Sequence, residues 1–89
     1  MREQNKTLLS VIGGRIRKGR RDAGLNLTEL ADMCGMSAPA LSLIETGQRD
    51  FRLSSLLRIA SALRIEATSL LDGKSATSQV SSEQKRLRS

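Results

Sequence analysis

Arg15, Arg17, Lys18, Arg20 and Arg21 crowd into one short stretch, RIRKGRR, and Arg49 and Arg52 follow a glycine turn further on. Guanidinium and ammonium groups in such numbers bind phosphate oxygens, arginine through a planar fork of donors and lysine as a point charge. Over the whole chain, 15 lysines and arginines stand against 9 aspartates and glutamates, a formal net charge of +6. That balance favours a polyanionic partner. Other chemistries lack their residues. With no histidine and one cysteine, zinc binding and histidine-based acid–base or triad catalysis have no side chains to use. No nucleophile motif or glycine phosphate loop is present either, so the chain does not read as an enzyme, and no metal or cofactor is expected.

Among polyanions, the single aromatic residue, Phe51, argues against single-stranded nucleic acid, whose bases stack on several rings. It also argues against an acidic membrane, which wants a bulky apolar face opposite the charges. Duplex DNA remains. Hydrophobic residues make up 38% of the chain, and no apolar run reaches the length of a membrane span. MREQNK at the start is charged, and the apolar positions after it are interrupted by Gly13 and Gly14, unlike a signal peptide. A lone Cys34 suits a reducing compartment. The expected location is cytoplasmic, associated with the nucleoid.

These cations need elements to position them. Asn26–Glu45, NLTELADMCGMSAPALSLIE, splits into two short apolar-periodic segments that meet at a glycine. In the first, Leu27, Leu30, Ala31 and Cys34 recur at spacings of three and four, one face of a helix. Asn26 is its candidate N-cap and Glu29 the capping-box partner. Gly35 supplies the sharp turn. Ser37 can cap the second segment, with Pro39 in its first turn and Leu41 and Ile44 continuing the apolar face. Two helices joined this tightly predict a helix-turn-helix, whose second helix enters a DNA major groove.

Residues 1–6 read as a polar arm and residues 7–73 as the helix-turn-helix domain. From Thr7 to Ala23, Leu9, Ile12 and Ile16 mark a helix with Gly24 as its stop. Gly13, Gly14 and Gly19 lie inside it, each costing about 1 kcal/mol relative to alanine. They imply either a close neighbour or a frayed start. Arg17, Lys18 and Arg21 are this helix's candidates for DNA phosphate, against the alternative of a solvated face. Gly47 stops the groove helix, placing Arg49 and Arg52 near its end. A fourth helix carries Leu53, Leu56, Leu57, Ile59, Ala60 and Leu63 on a broad apolar face. A fifth runs over about Glu66–Leu71. Ile65, Leu70 and Leu71 are more than so short a helix buries alone, so they either close the core or feed a dimer contact. Residues 74–89, rich in Ser and Gln, read as a disordered basic tail. Its Lys85, Arg86 and Arg88 suit solvent, DNA or a protein partner.

The words GRIRKGRRDAGL (14–25), LTELADMCGMS (27–37), LSLIETG (41–47) and SLLRIASALRI (55–65) occur in that order. From Ile12 to Leu71 the chain resembles the phage-repressor-like (Cro/repressor, XRE) helix-turn-helix family. The resemblance implies an all-α, compact five-helix lambda-repressor-like domain. It matches Ala31 and Gly35 to the family's small residue and turn glycine, and Arg20 and Glu45 to a structural ion pair across the domain. It implies base-facing positions at Ser37, Ala38, Pro39, Ser42 and Leu43. Asn26 and Thr28, with Gln48, Arg49 and Arg52, fall near the DNA backbone. Two departures stand out. The reading face offers no Arg, Lys, Asn or Gln for bidentate base contacts, and Phe51 stands where the family often has proline.

By that resemblance the chain is expected to be a homodimeric transcriptional regulator, a repressor in sense, on a palindromic double-stranded operator. Half-sites would lie about 34 Å apart. The alternative reading is a DNA-binding antitoxin or a partner-binding module of a two-protein system.

Overall fold

The computed structural model describes residues 3–73, and their side chains from residue 7 onward. Five helices follow in order: α1 (Glu3–Asp22), α2 (Leu27–Cys34), α3 (Ala38–Glu45), α4 (Leu53–Leu63) and α5 (Ala67–Asp72). Among the described residues there is no strand. The architecture is the expected all-α lambda-repressor-like domain. Of the sequence expectations, the tail at 74–89 lies outside the described residues.

α1 differs from its expected extent. It starts at Glu3 rather than Thr7, so most of the expected polar arm is helix. Apolar periodicity could not report this, because residues 3–6, EQNK, carry no apolar side chain to mark a helix face. Leu9, Ile12 and Ile16 are buried, and the stripe continues one turn on to Arg20, also buried. The glycines inside α1 divide by neighbour. At Gly13, an added methyl group would lie 2.6 Å from the Glu45 carbonyl oxygen and also collide with that of Ile44. At Gly14 it would meet nothing. Gly13 therefore lets α1 cross the end of α3 backbone to backbone, and the close-neighbour reading holds there. Gly47 repeats the device, with the backbone of Ser10 closing over it.

The core runs through all five helices: Ile12 and Ile16 of α1, Leu30, Ala31 and Cys34 of α2, Leu41 and Ile44 of α3, Leu56, Ile59, Ala60 and Leu63 of α4, and Leu70 of α5. Phe51 packs against this cluster half-buried, as a plug under the α3–α4 loop. Burial pushes the Cys34 thiol above its ordinary pKa, with the charge of Arg58 opposing, so it stays a neutral, small hydrophobe.

Three expectations change at α4 and α5. Leu70 is 2% exposed, so it closes the core and is not available as a dimer contact. Leu71, beside it in sequence, faces out, and Ile65 is only partly covered by its position against Gly19. Leu53 and Leu57, read as part of a broad buried face, are instead exposed, because one helix side meets α2 and α5 and the stripe is wider than that side. α5 is tied down from outside. The Arg15 guanidinium donates to the carbonyls of Leu70 and Leu71, both at 2.9 Å, and so occupies the unpaired carbonyls of a helix end.

Gly13→Ala should lower unfolding stability by about 2 kcal/mol or more, since backbone cannot move aside as a flexible side chain would. Gly14→Ala should raise it by about 0.5–1 kcal/mol through helix propensity. Urea denaturation of the two variants checks the pair, and equal effects would contradict the crossing.

Candidate nucleic-acid interface

The helix-turn-helix is assembled from local hydrogen bonds. The Asn26 side chain accepts from the Glu29 backbone N–H at 2.8 Å, and the Asn26 N–H donates to the Glu29 carboxylate at 2.9 Å. This is the capping box anticipated from the sequence. α2 ends where Gly35 turns left-handed at φ 69°, a conformation that costs glycine nothing. The Met36 N–H then closes back on the Ala31 carbonyl at 3.0 Å. Ser37 caps α3 through its hydroxyl, which accepts from Ala40 N–H at 3.2 Å. Ala38 opens α3 in helical geometry, although a residue before proline is biased away from it. Here the cap and the buried Leu41 outweigh that bias.

The angle of α3 is set by one buried contact. Arg20 Nε donates to Glu45 Oε2 at 2.7 Å and a second guanidinium nitrogen donates to Oε1 at 3.1 Å. A third donates to the Leu25 carbonyl at 2.9 Å. The pair's side chains are 10% and 3% exposed. Hydrogen bonding to Glu45 raises the Arg20 pKa above its ordinary value, with desolvation opposing and the Glu45 charge adding. The ion pair anticipated from the resemblance is therefore present, and it joins α1, the loop before α2, and the last turn of α3.

The reading face is sparse. Pro39 and Leu43 are exposed, Ser37 is exposed with its hydroxyl committed to the cap, and Ala38 and Ser42 are half-buried. Ala38 packs partly on the core, which leaves little of its methyl to offer. Among the phosphate candidates, Asn26 is exposed but serves as a cap. Thr28 is exposed in the first turn of α2. Gln48 donates to the Thr46 hydroxyl at 3.1 Å. Lys18 pairs with Asp22 at 2.7 Å in an exposed i,i+4 contact, a kind worth little and easily exchanged for a phosphate. Arg17, Arg21, Arg49 and Arg52 are exposed, and their side chains form no hydrogen bond or ion pair among the described residues.

Sequence reasoning missed Arg58. It lies on α4 and lines an open hollow of about 530 Å³ together with Arg49, Arg52, Phe51, Met36 and Ile44. The available signal was a single charge in SLLRIASAL, a helix otherwise apolar or small.

This helix order, capping pattern and ion pair coincide with a sequence match to the helix-turn-helix model HTH_3 over residues 16–70. The chain belongs to the HTH_3 helix-turn-helix family. Solved structures agree. The restriction-modification controller protein C.AhdI from Aeromonas hydrophila is 35% identical with a TM-score of 0.68, over 70% of this chain and 94% of that one. The clp gene regulator ClgR from C. glutamicum is 30% identical with a TM-score of 0.70, over 80% and 91%. A hypothetical transcription factor from Neisseria, NHTF, is 30% identical with a TM-score of 0.70, over 75% of each chain. No curated protein sequence matches the chain. Family and neighbours are DNA-binding transcription regulators rather than enzymes, and this HTH_3 chain is a DNA-binding regulator. No helix among its described residues is long and apolar enough to cross a membrane.

Removing one side of the buried pair leaves the other charge without a partner. Glu45→Gln or Arg20→Ala should each cost about 3–5 kcal/mol, whereas replacing both residues with apolar ones of similar volume should cost far less. Thermal and urea unfolding of the two single variants and the double variant check this through the non-additivity.

Proposed function

We propose that this HTH_3 chain is a sequence-specific repressor that lays α3 in the major groove of a palindromic duplex as a homodimer. The observation that carries the proposal is the setting of α3. Its inner face is locked by Leu41, Ile44 and the buried Glu45, while Ser37, Pro39 and Leu43 are left outward. The Arg49 and Arg52 side chains follow with no hydrogen-bond or ion-pair partner among the described residues.

Affinity then comes from phosphate contacts by Thr28, Gln48, Arg49 and Arg52, with Asn26 at the cap and Arg17, Lys18 and Arg21 on α1. Specificity is the thinner component. Leu43 and Pro39 touch thymine methyls, with little added by the partly covered Ala38, and Ser42 holds a hydroxyl that makes no hydrogen bond within the described chain. Waters and DNA shape supply the remainder.

For the homodimer, the candidate apolar surface is Leu53, 65% exposed, and Leu57, 51% exposed, one turn apart on α4, with Ile65 before α5 and Leu71 on it. Bulky apolar side chains this exposed are stabilised by self-association.

Binding to operator and scrambled duplexes at two salt concentrations tests the DNA reading, and no binding to either at low salt would sink it. Arg49→Ala should weaken binding to every duplex about equally and lower the salt slope by about one. A loss confined to the operator would contradict a phosphate role. Leu53→Glu with Leu57→Glu should weaken dimerisation about tenfold or more with the fold retained. Sedimentation reads this out, and an unchanged dimer would remove α4 from the interface.

A further inference from the structure

Beside α3 lies a hollow that the groove-facing residues do not use. It opens between the α2–α3 turn, the flank of α3 and the start of α4. Met36, Ile44 and Phe51 supply its bulky apolar lining, and Arg49, Arg52 and Arg58 line it alongside Asp50 and Ser55. None of the three arginine side chains makes a hydrogen bond or ion pair among the described residues. The one carboxylate lining the hollow, Asp50, accepts the Phe51 N–H at 2.7 Å. Cations gathered in this way repel one another and gain from a shared anion. The first turn of α4 adds to the same field, because its cap residue, Arg52, supplies no side-chain hydrogen bond to the free N–H groups. Arg58 plays no part in the core or in the groove-facing set, which leaves its place in the hollow without a structural reason.

We propose that this hollow is a phosphate-group site in which Arg58 is the third arm beside Arg49 and Arg52. Three guanidinium groups lining one concave surface offer enough donors for the oxygens of one phosphate. That phosphate has two sources: the backbone of the bound duplex, or a free nucleotide whose base lies against Phe51. The duplex source rests on the DNA-binding reading above. The nucleotide source does not.

The full chain and its Arg58→Ala variant separate the sources, with circular dichroism confirming that both are folded. Each is titrated with duplex at two salt concentrations, and separately with ADP and inorganic phosphate, followed by amide chemical shifts. If the phosphate is the duplex's, Arg58→Ala weakens binding to all sequences about three- to tenfold and lowers the salt slope by about one. If it belongs to a nucleotide, ADP shifts the amides around the hollow in the unaltered chain, the variant loses that response, and its duplex affinity is unchanged. The proposal is overturned if the variant matches the unaltered chain in both duplex affinity and salt slope and no amide at the hollow responds to ADP or phosphate. Absence of duplex binding by the unaltered chain would defeat the DNA reading alone, and the ADP titration would still decide the hollow.

Discussion

Glu45 carries a negative charge in the last turn of α3, where the helix dipole disfavours it, and it is nearly sealed from water. Such a carboxylate is tolerable only with a cation of fixed geometry, and Arg20 provides one through two donors at 2.7 and 3.1 Å. The third donor, on the Leu25 carbonyl, extends the constraint to the entry of α2. One guanidinium thus relates α1 to both ends of the helix-turn-helix. Removing the whole pair would be tolerated better than removing half of it, so the pair sets orientation more than it adds net stability.

The rest of the packing is arranged to let that contact form. Gly13 brings the backbone of α1 against the last carbonyls of α3, which places Arg20, two turns further along α1, within reach of Glu45. A side chain at Gly13 would hold the helices apart and separate the charges. Between Gly13 and Arg20 on α1, Arg15 performs an external version of the same task, holding the end of α5 through two carbonyls. Two arginines from one basic stretch are therefore structural, and they are not part of the charge offered to DNA. Among the described residues, the exposed side chains of Arg17, Arg21, Arg49, Arg52 and Arg58 have no such structural contact, and Lys18 sits in a weak exposed pair.

This division shapes how the surface works. α3 is held rigidly yet offers few hydrogen-bonding groups outward, since Ser37 spends its hydroxyl on the cap. On the proposed reading, a helix so held and so sparse, flanked by arginines unpaired among the described residues, has more affinity to give than discrimination, with its sequence preference leaning on methyl contacts and the shape of the duplex.

Local order was legible from residue order alone. The Asn26–Glu29 box, the Gly35 turn, the Ser37 cap and the Gly47 stop depend on neighbours a few residues apart, and each stands in the structure as the spacing implies. The stripe Leu9, Ile12, Ile16 was equally plain, because burial on one helix face imposes its period on the sequence. Tertiary structure decided what spacing could not. Gly13 and Gly14 are adjacent and chemically identical, and only the arrival of α3 distinguishes the one that must stay bare. Leu56 and Leu57, or Leu70 and Leu71, are likewise pairs in which one side chain is buried and the other exposed. Arg15, Arg20 and Arg58 look alike in sequence, yet Arg15 holds carbonyls 55 and 56 residues away, Arg20 pairs with a carboxylate 25 residues away, and the Arg58 side chain makes no hydrogen bond or ion pair among the described residues. Periodicity reports a helix's own geometry, whereas the role of a charge or a bare backbone depends on which helix comes to lie against it.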